Sequence, residues 1–237
     1  MTKYQAGASR RPYEITLLVV AVAAAGLNLR TAITSLPPLF PDLQTQLHLS
    51  TATLSLLAAT PVICFGVVSA FTAWLNRRYG EEMILLVALV LLTAGLLLRG
   101  VAPGVMLFPG TVLAASAIAV LNVLLSSMAK RRWPERAGLL IGIYLTTLSA
   151  GAILSSLLSV PLYRSSGSVQ LALGVWAVPA ALAVLLWLPQ LRYRTVGRAP
   201  AADGTVPTAD GVPARAGVKV YRYALTWQVT ALMGLQS

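Results

Sequence analysis

Residues 14–36 read Glu14-Ile-Thr-Leu-Leu-Val-Val-Ala-Val-Ala-Ala-Ala-Gly-Leu-Asn-Leu-Arg-Thr-Ala-Ile-Thr-Ser-Leu36. Beyond Glu14 the run carries a single ionisable residue, Arg30, set beside Asn28, Thr31 and Thr34. An α-helix needs ~20 apolar residues to cross ~30 Å of hydrocarbon, and this stretch has that length and character. An arginine at the centre of such a helix costs ~2.5–3.5 kcal/mol on insertion scales, and by default it faces a bundle interior or a water-filled path. The stretch therefore predicts a membrane helix and makes Arg30 the residue whose role has to be explained.

Composition agrees. Hydrophobic residues make up 57% of the 237-residue chain and charged residues 11%, with a mean hydropathy of +0.76; a soluble domain would be about 25% charged. The formal charge of +11 raises nucleic acid as a partner. Binding of that kind needs Lys and Arg gathered on a solvated face, whereas here they sit in short connections between apolar blocks, so nucleic acid is excluded. Cys64 stands alone in an apolar run, with no disulfide pairing and no metal-ligand spacing, and reads as a small buried hydrophobe. Lys3, Arg10 and Arg11 ahead of an apolar run that contains Ala23 and Ala25 imitate a signal peptide. The run is longer than the ~7–15 residues of a signal core and further spans follow, so no cleavage is expected.

Six apolar blocks approach crossing length, at about 15–36, 52–75, 83–101, 104–128, 138–162 and 169–189. The fold class is all-α: a polytopic membrane helix bundle of six complete transmembrane helices plus the start of a seventh. Residues 1–14 form a cytoplasmic tail and residues 190–222 a linker rich in Ala, Gly, Pro and Thr without the periodicity of a buried element. The seventh segment, 223–237, is shorter than a crossing, so the chain reads as truncated. Of the eighteen Lys and Arg residues, fifteen fall in the tail and in the second, fourth and sixth connections, while Arg99 and Arg164 lie on the other side. Short positively charged connections stay in the cytoplasm, which puts the N-terminus inside. Six spans, a linker and a further span form the plan of a carrier built from two six-helix halves.

At 100° per residue Asn28, Thr31 and Ser35 share one line of the first helix and Arg30 and Thr34 a neighbouring one. All seven acids, Glu14, Asp42, Glu81, Glu82, Glu135, Asp203 and Asp210, lie in tails, loops or span ends, so no carboxylate inside a span is an evident partner for Arg30. A guanidinium held in apolar surroundings is suited to a planar oxyanion. Two readings stand: Arg30 lines a substrate path, which its polar neighbours favour, or it snorkels to the outer interface. Arg99 closes the third span as an interfacial anchor or as part of an outer entry funnel. Asn122 is an amide inside span four that needs a helix or ligand partner. Tyr144, Thr146 and Thr147 in span five, and Gln228 and Gln236 in the seventh segment, are further candidates for the same cavity. Trp176 and Trp187 read as packing and belt residues. Small residues in span five, from Gly138 and Gly142 through Gly151, Ser155 and Ser159, read as helix-packing positions or as a moving interface.

Catalysis finds little to work with. His48 and Asp42 in the outer loop make neither a metal site nor a triad. No Walker-type phosphate loop is present, which leaves secondary rather than ATP-driven transport.

The run Gly26-Leu-Asn-Leu-Arg-Thr-Ala-Ile-Thr-Ser-Leu-Pro-Pro-Leu-Phe-Pro41, Arg99, Asn122-Val-Leu-Leu, Lys130-Arg-Arg-Trp-Pro-Glu-Arg-Ala-Gly138, and Trp227-Gln-Val-Thr with Gly234-Leu-Gln-Ser237 resemble the cyanate/2-nitroimidazole transporter family (CynX/NimT) of the major facilitator superfamily. The resemblance implies the N-terminal half, with part of span seven, of a twelve-span bacterial inner-membrane carrier working by alternating access. It departs in two places. The superfamily's second connection runs Gly-x-x-x-Asp-Arg-x-Gly-Arg, whereas Arg77-Arg78-Tyr79-Gly80-Glu81-Glu82 puts arginine at the Asp place and acids after the glycine. Span four reads Leu-Leu-Ser126 where a kinking Leu-Leu-Pro is expected.

The expected function is secondary active transport of a small anionic or polar solute, cyanate- or nitroimidazole-like. A multidrug-type efflux carrier and a membrane-embedded enzyme or assembly factor are the alternatives. The expected partners are a small-molecule substrate and the lipid bilayer, with no cofactor, no metal and a monomeric full-length protein. The candidate binding residues are Asn28, Arg30, Thr31, Thr34, Arg99, Asn122, Tyr144, Gln228 and Gln236.

Overall fold

A computed structural model describes residues 12–132 and 137–189 of the chain. Helix α1 runs Pro12–Thr34, a 3-10 turn follows at Pro37–Leu39, and then come α2 (Phe40–Leu47), α3 (Thr51–Tyr79), α4 (Glu81–Val101), α5 (Pro103–Arg132), α6 (Ala137–Ser166), α7 (Val169–Gly174) and α8 (Ala177–Trp187). No strand occurs among the described residues. Among the described residues six stretches are long and apolar enough to cross a bilayer, which bears out the all-α membrane bundle.

Local chemistry sets the breaks. The prolines Pro37 and Pro38 end α1, since neither has an N–H to offer the carbonyls of Ile33 and Thr34 four residues before. Ser50 caps α3, its Oγ accepting from the Thr53 amide at 3.2 Å. Gly80 (φ 86°) and Gly167 (φ 63°) sit at the α3–α4 and α6–α7 junctions in backbone conformations that side chains rarely adopt. Pro61, Pro109 and Pro161 lie inside α3, α5 and α6 without interrupting them.

Helix α4 packs along α5, and α1 along α6; α3 lies against α5, while α7 and α8 close on α4 and α8 also on α1. The main core joins Ala21, Leu29, Leu89, Leu92, Ile118 and Leu121, and a second cluster at the α1–α2 end of the bundle joins Leu36, Leu39, Leu43, Leu57, Leu107 and Leu173. Glycines let backbones approach. A Cβ on Gly151 would meet the Leu27 carbonyl oxygen at 2.2 Å, and one on Gly95 the Gly110 oxygen at 2.7 Å. Large apolar side chains along the outside, among them Ile63, Phe71, Leu139 and Leu157, are left exposed, as expected of helices whose outer faces meet lipid.

Three expectations change. The connection after the first span is not simply a loop: it forms the short helix α2, which bonds to α6 where the Gln46 amide donates to the Tyr163 hydroxyl at 2.8 Å. Span six is broken into α7 and α8 at Val175 and Trp176, because Pro179 has no N–H to offer the Val175 carbonyl and its ring would crowd that oxygen. In α6 the residues that pack are Gly151, Ser155 and Ser159, all buried; Gly138 and Gly142 are exposed and have nothing within 4 Å of a Cβ position. The linker, the seventh segment with Gln228 and Gln236, and residues 133–136 lie outside the described residues.

Candidate functional site

The two polar lines of α1 part company. Asn28, Thr31 and Ser35 turn into the protein, where each is nearly inaccessible, while Arg30 is exposed. The Asn28 amide donates to the Ala24 carbonyl at 2.8 Å and across to the Pro179 carbonyl of α8 at 3.0 Å. Its Oδ1 is buried without a partner. Thr31 donates to the Leu27 carbonyl at 2.6 Å and lies 3.4 Å from the Gly151 carbonyl. Thr34, half-buried, shares a hydrogen bond with Ser155 of α6 at 2.5 Å. Sequence reading placed these residues on α1 correctly, but an isolated helical wheel has no neighbours. Glycines at 26 and 151 bring α6 up to the face that holds Thr31, so that line serves helix packing.

Arg30 of α1 lies within electrostatic reach of Tyr144 of α6. The Tyr144 hydroxyl donates to Asn122 Oδ1, and the Arg30 charge is close enough to act on that hydroxyl. The other end of the Asn122 amide donates to the Ile118 carbonyl of its own helix at 3.2 Å. Three helices, α1, α5 and α6, thus contribute one cation, one amide and one phenol to a common side of the bundle. Thr146, two residues on from the buried Tyr144, is exposed on another side of α6, and Thr147 is satisfied by the Ile143 carbonyl at 2.9 Å. This group can offer charged and neutral hydrogen-bond donors to a ligand. In sequence no acid lies between residues 15 and 41, nor between 83 and 134, nor between 136 and 202.

Arg99 is elsewhere. It is neither an interfacial anchor nor part of an open funnel: its relative exposure is 0%, and Nη1 and Nη2 both donate to the Ala32 carbonyl at 3.0 Å. Closure around it comes from Gly110, where a Cβ would lie 2.8 Å from Arg99 Cγ. Trp176 and Trp187 are likewise buried, with indole nitrogens that have no partner, so they pack within the bundle and form no belt.

At the opposite end the unusual second connection has a structural answer. Arg78 lies over the rings of Trp74 and Tyr79 at 5.6 Å from each centroid. Glu81 and Glu82 are buried at the start of α4, and Glu81 Oε1 accepts from Ser127 of α5 at 2.9 Å. That contact was not foreseen from sequence; the only signal was two acids directly after a glycine break. Ser126, in place of the expected proline, donates to the Asn122 carbonyl at 2.9 Å and α5 continues through it. Cys64 is buried, as expected of a lone cysteine in an apolar run.

The described residues thus form a six-span all-helical bundle that carries a cation, an amide and a phenol on one side. The chain belongs to the Major Facilitator Superfamily, whose family model matches residues 17–236. It is 35% identical to an uncharacterized transporter, YycB, of Bacillus subtilis over 93% of this chain and 52% of the relative. It is 32% identical to the 2-nitroimidazole transporter of Escherichia coli over 93% of this chain and 54% of the relative. Against the cyanate transport protein CynX of the same organism it is 28% identical over 72% of the chain and 44% of the relative. The chain thus spans about half the length of the curated relatives it matches, consistent with a CynX/NimT-type N-terminal half. The crystal structure of the POT family transporter PepTSo superposes with a TM-score of 0.68 at 17% identity, covering 95% of this chain and 48% of that one, a likeness of fold.

Proposed function

We propose that the protein is a secondary active carrier for a small anionic or polar solute of the cyanate or nitroimidazole kind, working by alternating access. The observation that carries this reading is the exposed Arg30 within electrostatic reach of the Tyr144–Asn122 pair, on helices whose membrane-spanning stretches carry no acid in sequence. A guanidinium there binds a planar oxyanion through two N–H bonds, and the phenol and amide orient it. In a carrier of two six-helix halves the second half closes over this face, removes water and strengthens the contact. Asn28, Thr31 and Thr34 support the site by fixing α1 against α8 and α6, and Gln228 and Gln236 are further candidates to bind the solute. The carrier sits in the bacterial inner membrane as a multi-pass monomer with its N-terminus in the cytoplasm, the side on which the basic connections gather.

The test is solute flux by the complete protein in proteoliposomes, with cyanate and 2-nitroimidazole as trial cargoes. Arg30→Ala abolishes flux of the true cargo and Arg30→Lys weakens it. Equal flux in both variants and wild type would overturn the role of Arg30, and broad flux of lipophilic cations would favour a drug-efflux carrier instead.

A further inference from the structure

Arg99 presents a different problem from Arg30, and its geometry has a different consequence. It is the largest polar side chain in the fully buried set, at 0% exposure, and it lies near the end of α4 between α1 and α5. A guanidinium has five N–H bonds. Two of them go to a single oxygen, the Ala32 carbonyl, at 3.0 Å each, and Nε has no partner. No acid residue lines the cavity beside it. The C-terminal ends of α1 and α4 supply partial negative charge that eases burial of the cation. They do not fill its remaining donors, and unfilled donors on a buried ion are costly.

Beside Arg99 lies a cavity of about 70 Å³, bounded by Ile33, Leu36, Leu57, Ala58, Thr111 and Ile118. Its walls are apolar apart from Arg99 and Thr111, and the Thr111 hydroxyl is committed to the Leu107 carbonyl at 2.7 Å. Low-dielectric walls strengthen attraction between the guanidinium and an anion. The volume sets the size: room for roughly two or three non-hydrogen atoms, too little for an aromatic solute.

We propose that Arg99 and this cavity form a second anion site, separate from the Arg30 face, that takes a small monovalent anion of halide or cyanate size. The Nε–H and the remaining N–H bonds of Arg99 are its donors, and the Ala32 carbonyl holds the guanidinium in place. An anion there neutralises the buried cation and ties the outer ends of α1, α4 and α5 together. The site stands whether or not Arg30 binds cargo.

The experiment uses the complete protein in detergent, with melting temperature followed against bromide at fixed ionic strength and gluconate as the oversized control. Wild type and Arg30→Gln should show a saturable rise of roughly 5 °C in bromide that gluconate does not give. Arg99→Gln should lose it and Arg99→Lys should keep part of it. Crystals in bromide should show anomalous density within hydrogen-bond distance of Arg99, which decides the matter even where Arg99→Gln does not fold. A parallel titration with cyanate tells an inorganic ion from cargo: displacement of bromide by cyanate means cargo uses the site, and bromide retained in excess cyanate means an inorganic ion holds it. A rise that persists in Arg99→Gln, no saturable rise in wild type, or bromide density at Arg30 without any at Arg99 would overturn the proposal.

Discussion

The Tyr144 hydroxyl donates to Oδ1 of Asn122 and so joins α6 to α5 on the face where Arg30 stands exposed. Loss of this one bond should affect orientation of a ligand more than its attraction. A neutral hydrogen bond is worth ~0.5–1.5 kcal/mol, so Tyr144→Phe is expected to cut transport about two- to tenfold, chiefly through a higher KM. Asn122→Ala removes the acceptor, strands the phenol and should cost more. Initial rates over a range of cargo concentrations, for both variants at matched expression, check the order.

Arg30 carries the charge, and its two variants separate charge from shape. Hydrogen bonds to charged groups are worth ~1.5–3 kcal/mol, so Arg30→Gln should lower flux by about 10- to 150-fold. Lysine keeps the charge but is a point donor without the guanidinium fork, so Arg30→Lys should fall between the two. A flux in Arg30→Lys no better than in Arg30→Gln would mean that the paired geometry, not the charge, does the binding.

How much of this was legible in sequence depended on whether the physics was local. Spans declare themselves because twenty consecutive apolar residues have one common use, so the bundle could be read from composition and run length. The break at Val175 was hidden inside an apolar run, and its cause, Pro179, lies four residues later, on what looks like the same helix. Arg99 shows the harder limit. A basic residue at a span end looks like an anchor, and only the approach of α5 through Gly110 buries it. Asn28 and Arg30 are two residues apart, yet one is sealed against α8 and the other exposed. A helical wheel gave their angular separation but not which side the neighbouring helices would cover. Among the small residues of α6, Gly142 and Gly151 are indistinguishable as letters and differ only in what stands opposite.

Orientation is open to direct labelling. Arg164 near the end of α6 and Arg78 near the end of α3 are both exposed, at what the charge distribution makes the outer and inner ends. In intact cells Arg164→Cys should react with a membrane-impermeant maleimide and Arg78→Cys should not, until the cells are opened. Cys64 is buried and should give little background. The reverse pattern would place the N-terminus outside.

The α1–α6 contact makes the last prediction, a ranking of three glycines. At Gly151 a Cβ would press on backbone, 2.2 Å from the Leu27 oxygen, and on Thr31 Oγ1 at 2.9 Å, so the helices themselves must separate. At Gly26 the nearest atom, 2.6 Å away, is the Thr147 hydroxyl, a side chain that can turn aside, with the Tyr144 carbonyl at 3.2 Å behind it. At Gly142 nothing lies within 4 Å. Overpacking costs ~1–3 kcal/mol when the structure must move, while alanine is favoured over glycine within a helix by ~0.5–1 kcal/mol. Gly151→Ala should therefore lower the melting temperature by roughly 5 °C at ~2–4 °C per kcal/mol, Gly26→Ala by less, and Gly142→Ala not at all or with a slight gain. Melting of the three purified variants in one detergent tests the ranking, and a Gly142→Ala loss as large as that of Gly151→Ala would show that another surface covers that end of α6.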